Sequence, residues 1–168
     1  MCAIILICTS AIGVNIYKNS LRKLKLLEAF RNMFFVFNAY ITIEHCEIRE
    51  CIRRYILKND DAGPILENVL HIMEENKRIN FAGAMKNALD TFTEKNSGLL
   101  EGRDKELIVH TCGEIDGLRR GYISEFMNKT CELLDKRIQE CRDKDVKNGK
   151  VYNKVGVLIG IAIIILII

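Results

Sequence analysis

SLRKLKLLEAFRNMFF, Ser20 to Phe35, decides the fold. Leu21, Leu24, Leu27 (with Leu26), Phe30 and Phe34, and Phe37 just beyond, recur at steps of three and four residues, the spacing that gathers side chains on one face of an α-helix. Ser20 can accept from the free amides of a first turn, so the spacing predicts a helix capped there and running to about Thr42. No stretch of the chain alternates apolar and polar residues for long enough to suggest a half-buried strand.

The same period continues downstream. EHCEIRECIRRYIL (Glu44 to Leu57) turns Ile48, Cys51, Ile52, Tyr55 and Ile56 inward, and Asp60-Asp61-Ala62-Gly63-Pro64 then breaks the chain. Pro64 suits the first turn of a third helix, with Ile65, Leu66, Val69, Ile72 and Met73 on one face and an end near Asn76. Asn80 starts a fourth, carrying Phe81, Met85, Leu89 and Phe92, and Asn96-Ser97-Gly98 marks the next turn. A short fifth helix is expected from Asp104 to about Cys112, then a break at GEIDG, Gly113 to Gly117. From about Gly121 the final helix keeps Ile123, Phe126, Met127, Thr130, Cys131, Leu134, Ile138 and Cys141 on one stripe, with Gly149 the weak point of any continuation through Lys154. The expectation is an all-α fold, an antiparallel bundle of about six helices.

The two chain ends differ from this middle. All 25 basic and 22 acidic residues lie between Lys18 and Lys154. Met1 to Tyr17 as a helix would span roughly 25 Å, and Val151 to Ile168, ending in VGVLIGIAIIILII, roughly 27 Å. A run of this length and apolarity is too long for an ordinary core strand and would aggregate if exposed, whereas a helix in lipid satisfies its own backbone. The expected organisation is a transmembrane anchor at 1–17, a cytoplasmic helical domain at 18–150 and a second anchor at 151–168. The N-terminal run carries its charges after the apolar stretch, the reverse of a cleaved signal peptide. Lys18, Arg22, Lys23 and Lys25 follow the first anchor and Lys144, Lys147, Lys150 and Lys154 precede the second, so the positive-inside rule sets the bulk of the chain in the cytoplasm with both termini outside. Thr9 with Gly13, and Gly156 with Gly160, form small-xxx-small pairs through which the two anchors could pack.

Composition narrows the function classes. The net charge is +3 and the two signs are interleaved, whereas a nucleic-acid binder shows a basic face free of carboxylates. Seven cysteines, an odd number without CxxC or regular spacing, argue against a disulfide framework or a zinc site and for reduced thiols. His45, His71 and His110 fall in different helices, and there is no HExxH, no Gly-rich phosphate loop and no GxSxG elbow. The nearest approach to catalysis is a thiol chemistry at Cys46, Cys51 or Cys112 helped by His45 or His110, but adjacent helix residues point apart and cysteines on an apolar stripe are core. No cofactor, metal or small-molecule substrate is expected. Glu44, Glu47 and Glu50, at three-residue steps, read either as a solvated face or as a docking surface for a basic partner.

Taken together, the two apolar ends, the ending KVGVLIGIAIIILII, GEIDG before the last long helix and YITIEHCEIREC (Tyr40 to Cys51) resemble the stage III sporulation protein AB family. GEIDG is similar to that family's Gly-x-x-Leu-Gly turn, which makes Gly113, Glu114 and Gly117 candidate turn or docking residues. Glu47 stands where the family has a proline, Arg120 near its usual Asp, and the following turn lacks its Gln. The resemblance implies a helical domain similar to the platform proteins of type II secretion machines, in the mother-cell membrane around the forespore. It implies a non-enzymatic assembly component of the channel between the two cells, with membrane lipid, a secretion-type ATPase and other channel proteins as partners and a homo-oligomer as a further option. The alternative is a membrane-tethered helical adaptor or signalling scaffold unrelated to sporulation.

Overall fold

A computed structural model describes residues 2–58, 60–96, 99–117 and 120–146. In chain order the elements are α1 (Cys2–Thr42), α2 (Ile48–Ile56), α3 (Gly63–Glu75), α4 (Phe81–Lys95), α5 (Gly102–Gly117) and α6 (Arg120–Glu140), with a π-helical segment at Cys141–Val146. Among the described residues there are six α-helices and no strand, as the all-α expectation has it, without the flanking membrane helices that were expected beside them. Two compact units divide it, one made of Met1–Leu24 with Arg137–Ile168 and the other of Lys25–Lys136.

The Lys25–Lys136 unit is organised by α1. Leu26, Leu27, Phe30, Met33, Phe34 and Phe37 are at most 1 % exposed, so the stripe read in the sequence is the centre of the core. The other helices of the unit contribute Cys51, Ile52 and Tyr55 of α2, Ile65, Leu66 and Val69 of α3, Phe81, Met85 and Leu89 of α4, Ile108 and Cys112 of α5, and Met127 and Leu134 of α6, all buried. Fully burying one such side chain is worth about 1.5–3 kcal/mol, so this set, rather than any polar contact, dominates the stability of the unit. Phe37 meets Tyr55 edge-on at 5.9 Å and Phe81 at 6.3 Å between ring centroids. α3 packs on both α2 and α4, and α4 on α5. α6 runs antiparallel to α1: Asp135 accepts from Nε and Nη2 of Arg31 at 3.1 and 3.2 Å, and about two turns back along α6 the Asn128 Oδ1 accepts from Asn38 Nδ2 at 3.2 Å.

Local signals set most of the boundaries. Pro64 lies in the first turn of α3. Asn80 caps α4, its Oδ1 accepting from Gly83 N–H at 2.9 Å. Asp116, on the last turn of α5, adds a second acceptor at the same helix start by taking the Ala82 N–H at 3.4 Å. Between α1 and α2 the chain turns on His45, whose φ of 58° lies in the left-handed region, and this turn brings Cys46 N–H onto the Tyr40 carbonyl at 2.9 Å.

Several expectations require correction. Ser20 caps nothing: α1 is continuous from Cys2, so Ser20 is an interior residue. α2 begins at Ile48, not Glu44. GEIDG is no break, because Gly113 to Gly117 form the closing turns of α5 with Ile115 buried.

The expected N-terminal transmembrane helix is also overturned. Among the described residues no helix is long and apolar enough to cross a membrane. The physical reason lies in the opening run, which is interrupted by Thr9, Ser10 and Asn15 and falls short of the ~30 Å of a hydrocarbon layer, while extending it draws in Lys18, Arg22, Lys23 and Lys25. Lys23, expected as one of the membrane-orienting basic residues, is instead buried, with 7 % of its surface exposed. The membrane placement with both termini outside rested on such spans and falls with this finding. The second expected anchor, 151–168, lies outside the described residues.

Candidate partner-docking surface

α5 and α6 are antiparallel neighbours, held by Thr111 and Thr130, whose hydroxyl oxygens lie 3.5 Å apart in a buried position. Thr111 also donates to the Leu107 carbonyl of its own helix at 2.7 Å, which leaves neither hydroxyl without a polar neighbour. One turn further along, the two helices leave an open cleft of about 300 Å³ lined by Glu114 of α5 and by Tyr122, Glu125, Phe126 and Lys129 of α6. The four α6 residues follow at steps of three, one and three, so a single helical face supplies them. Tyr122 is 64 % exposed, an unusual position for so large a ring. Phe126, half-buried, lines the cleft and meets the His110 ring at 6.2 Å between centroids. His110 Nε2 stands 3.8 Å from Glu114 Oε1, an ion pair only when the imidazole is protonated and longer than a hydrogen bond.

Of the residues read as candidates in the sequence, Glu114 is therefore at the cleft, whereas Gly113 lies on the α4 side of α5 with Ala82 as its nearest neighbour, and Gly117 ends the helix. Glu44, Glu47 and Glu50 do not form one helical face, since Glu44 and Glu47 precede α2. Arg54 draws two of them together, reaching Glu44 at 2.6 Å and Glu50 at 2.8 Å, and covers the Tyr40 ring at 5.7 Å. Much of that acidic corner is thus neutralised within the chain. Lys18, Arg22 and Lys25 are exposed along α1. Thr9 and Gly13 fall within the α1 backbone, and Lys147, Lys150, Lys154, Gly156 and Gly160 lie outside the described residues. Sequence reasoning missed Tyr122, Glu125 and Lys129. The signal was present in the i, i+3, i+4, i+7 spacing they share with Phe126, which the apolar stripe obscured by claiming Phe126 for the core.

The thiols have the environment of core residues. Cys51 and Cys112 are fully buried. Burial pushes the Cys51 thiol up to about 12, with the nearby Cys46 adding to the effect, and burial together with Asp116 holds Cys112 well above its ordinary value. Both are protonated at neutral pH and neither is a ready nucleophile. His110 is two-thirds exposed while Cys112 faces the core, so this pair does not meet. Cys46, half-buried, donates from Sγ to Glu44 Oε2 at 3.9 Å. Among the described residues no group of three His, Cys, Asp or Glu side chains is placed to hold a metal ion.

Neither a curated protein nor a solved structure matches the chain. A family profile described as Stage III sporulation protein AB matches residues 1–168, the whole of it. With a match over its full length, the chain belongs to the stage III sporulation protein AB family and has a role in sporulation.

Proposed function

We propose that this chain is a non-enzymatic assembly component of the channel complex between mother cell and forespore, and that its helical domain docks a secretion-type ATPase together with other channel proteins. The full-length family match carries the reading. The buried, protonated thiols and the exposed aromatic and carboxylate cleft on α5 and α6 support it: the first favour a structural part for the cysteines, the second has the make-up of a protein contact.

Deleting the gene in a spore-forming host tests the role. Development should arrest, and a chain with Cys46→Ser, Cys51→Ser and Cys112→Ser should restore it wherever that variant folds. Normal spores from the deletion strain would sink the proposal. Loss of complementation from a single well-folded cysteine variant would revive catalysis.

A further inference from the structure

We infer that the cleft between α5 and α6 receives an arginine side chain of a partner protein, an inference that rests on the docking reading above. Its size sets the class of occupant. About 300 Å³ is the lower limit of small-molecule sites, and an open cleft of that volume suits one long side chain better than a cofactor.

Its chemistry sets the charge. Two carboxylates, Glu114 and Glu125, face a single ammonium, Lys129, so the lining is net negative. Glu114 has only the His110 imidazole at 3.8 Å, and among the described residues Glu125 has no ion-pair or hydrogen-bond partner. A cation entering here would find acceptors not already committed, unlike at the acidic corner where Arg54 occupies both Glu44 and Glu50.

Shape separates arginine from lysine. The Tyr122 ring stands 64 % exposed beside Phe126, a surface on which a planar guanidinium stacks while its N–H groups reach carboxylates. Lysine presents a compact, strongly hydrated charge with no flat face to stack. Tyrosine and arginine are also the residues most enriched where partners bind tightly.

The test uses the full chain labelled with 3-fluorotyrosine, the Tyr122 resonance being assigned with Tyr122→Phe. Titrating Ac-Gly-Arg-Gly-NH2 should move that resonance saturably, the lysine peptide more weakly and the glutamate peptide not at all. Glu114→Gln with Glu125→Gln should weaken the response by roughly tenfold or more, as expected when charge-assisted contacts are lost. Equal shifts with the glutamate peptide, no shift at all, or a response unchanged in the double variant would overturn the inference. Glu125→Lys, an exposed change that leaves the core untouched, serves as a second variant and should abolish the response. Co-purification of the ATPase with the same variants separates the two readings. ATPase loss with no arginine response in the parent chain overturns the arginine site but not the docking, while an intact arginine response with undiminished ATPase recovery upholds the arginine site and removes it from the ATPase contact.

Discussion

Replacing Tyr55 by Phe should destabilise the helical unit by about 1.5–3 kcal/mol, the range for a buried hydrogen bond to a charged group. Tyr55 is fully buried, and its single hydroxyl proton faces two acceptors, the Ala29 carbonyl at 3.0 Å and the Asp60 carboxylate, while the oxygen accepts from Asn32 Nδ2 at 3.3 Å. Asp60 in turn takes the Ala62 N–H at 3.1 Å with its other oxygen. One phenol thereby ties α1, α2 and the entry to α3. Phenylalanine keeps the ring and its edge-on contact with Phe37. The Ala29 carbonyl retains its helical partner and the exposed Asn32 regains water, so the loss falls on the half-buried Asp60 oxygen. For a chain of 168 residues the cost corresponds to a fall in Tm of roughly 3–12 °C. Thermal and urea unfolding followed by circular dichroism measure it, and a double-mutant cycle with Asp60→Asn isolates the pair. A fall below about 1 °C, or additive effects in the cycle, would refute the reasoning.

Gly113→Ala should stabilise by about 0.5–1 kcal/mol, because the position is helical and the new Cβ would meet only the Ala82 Cβ at an ordinary 3.6 Å; a loss of stability on urea melts would restore the turn reading of GEIDG. At His45, glycine should match or exceed the parent by up to about 1 kcal/mol and valine should cost about 1–2 kcal/mol, since a β-branched residue tolerates the left-handed region worst; equal Tm values for the two variants would count against the turn. Stability should also decline at alkaline pH. Burial holds the Cys51 thiol near 12 against about 8.5 in the unfolded chain, so the folded state keeps a proton the unfolded state has lost. That contribution is complete below about 8.5 and is lost as pH climbs toward 12, and Cys51→Ala should flatten the decline in urea melts between about pH 8 and 11.

How much of this was legible varied with how local the determinant is. The helix faces were, because burial follows the i, i+3, i+4 repeat: Cys51, Ile52, Tyr55, Val69, Phe81, Met85, Leu89 and Met127 are buried where the period places them. Pro64 and Asn80 were readable as helix starts because a fixed φ and a side-chain acceptor act within one turn. GEIDG was misread because Gly113 lies inside α5 and the helix ends only at Gly117, and the packing that holds these residues, buried Ile115 and Asp116 at the start of α4, is not local. Ser20 was misread for the same reason, since a serine caps only where a helix begins and nothing upstream stops α1. The Tyr55 contacts with Ala29 and Asn32 and the cleft beside Tyr122 depend on how separate helices meet, which residue spacing in one helix does not encode.

The central claim is that the helical domain is a docking component, and the most direct measurement is crosslinked co-purification from sporulating cells, comparing the parent chain with Glu125→Lys at equal recovery. The account predicts that the parent brings down a secretion-type ATPase in defined proportion and that the variant brings down several-fold less. Recovery of the parent chain with no ATPase above the background of an unrelated bait would contradict it.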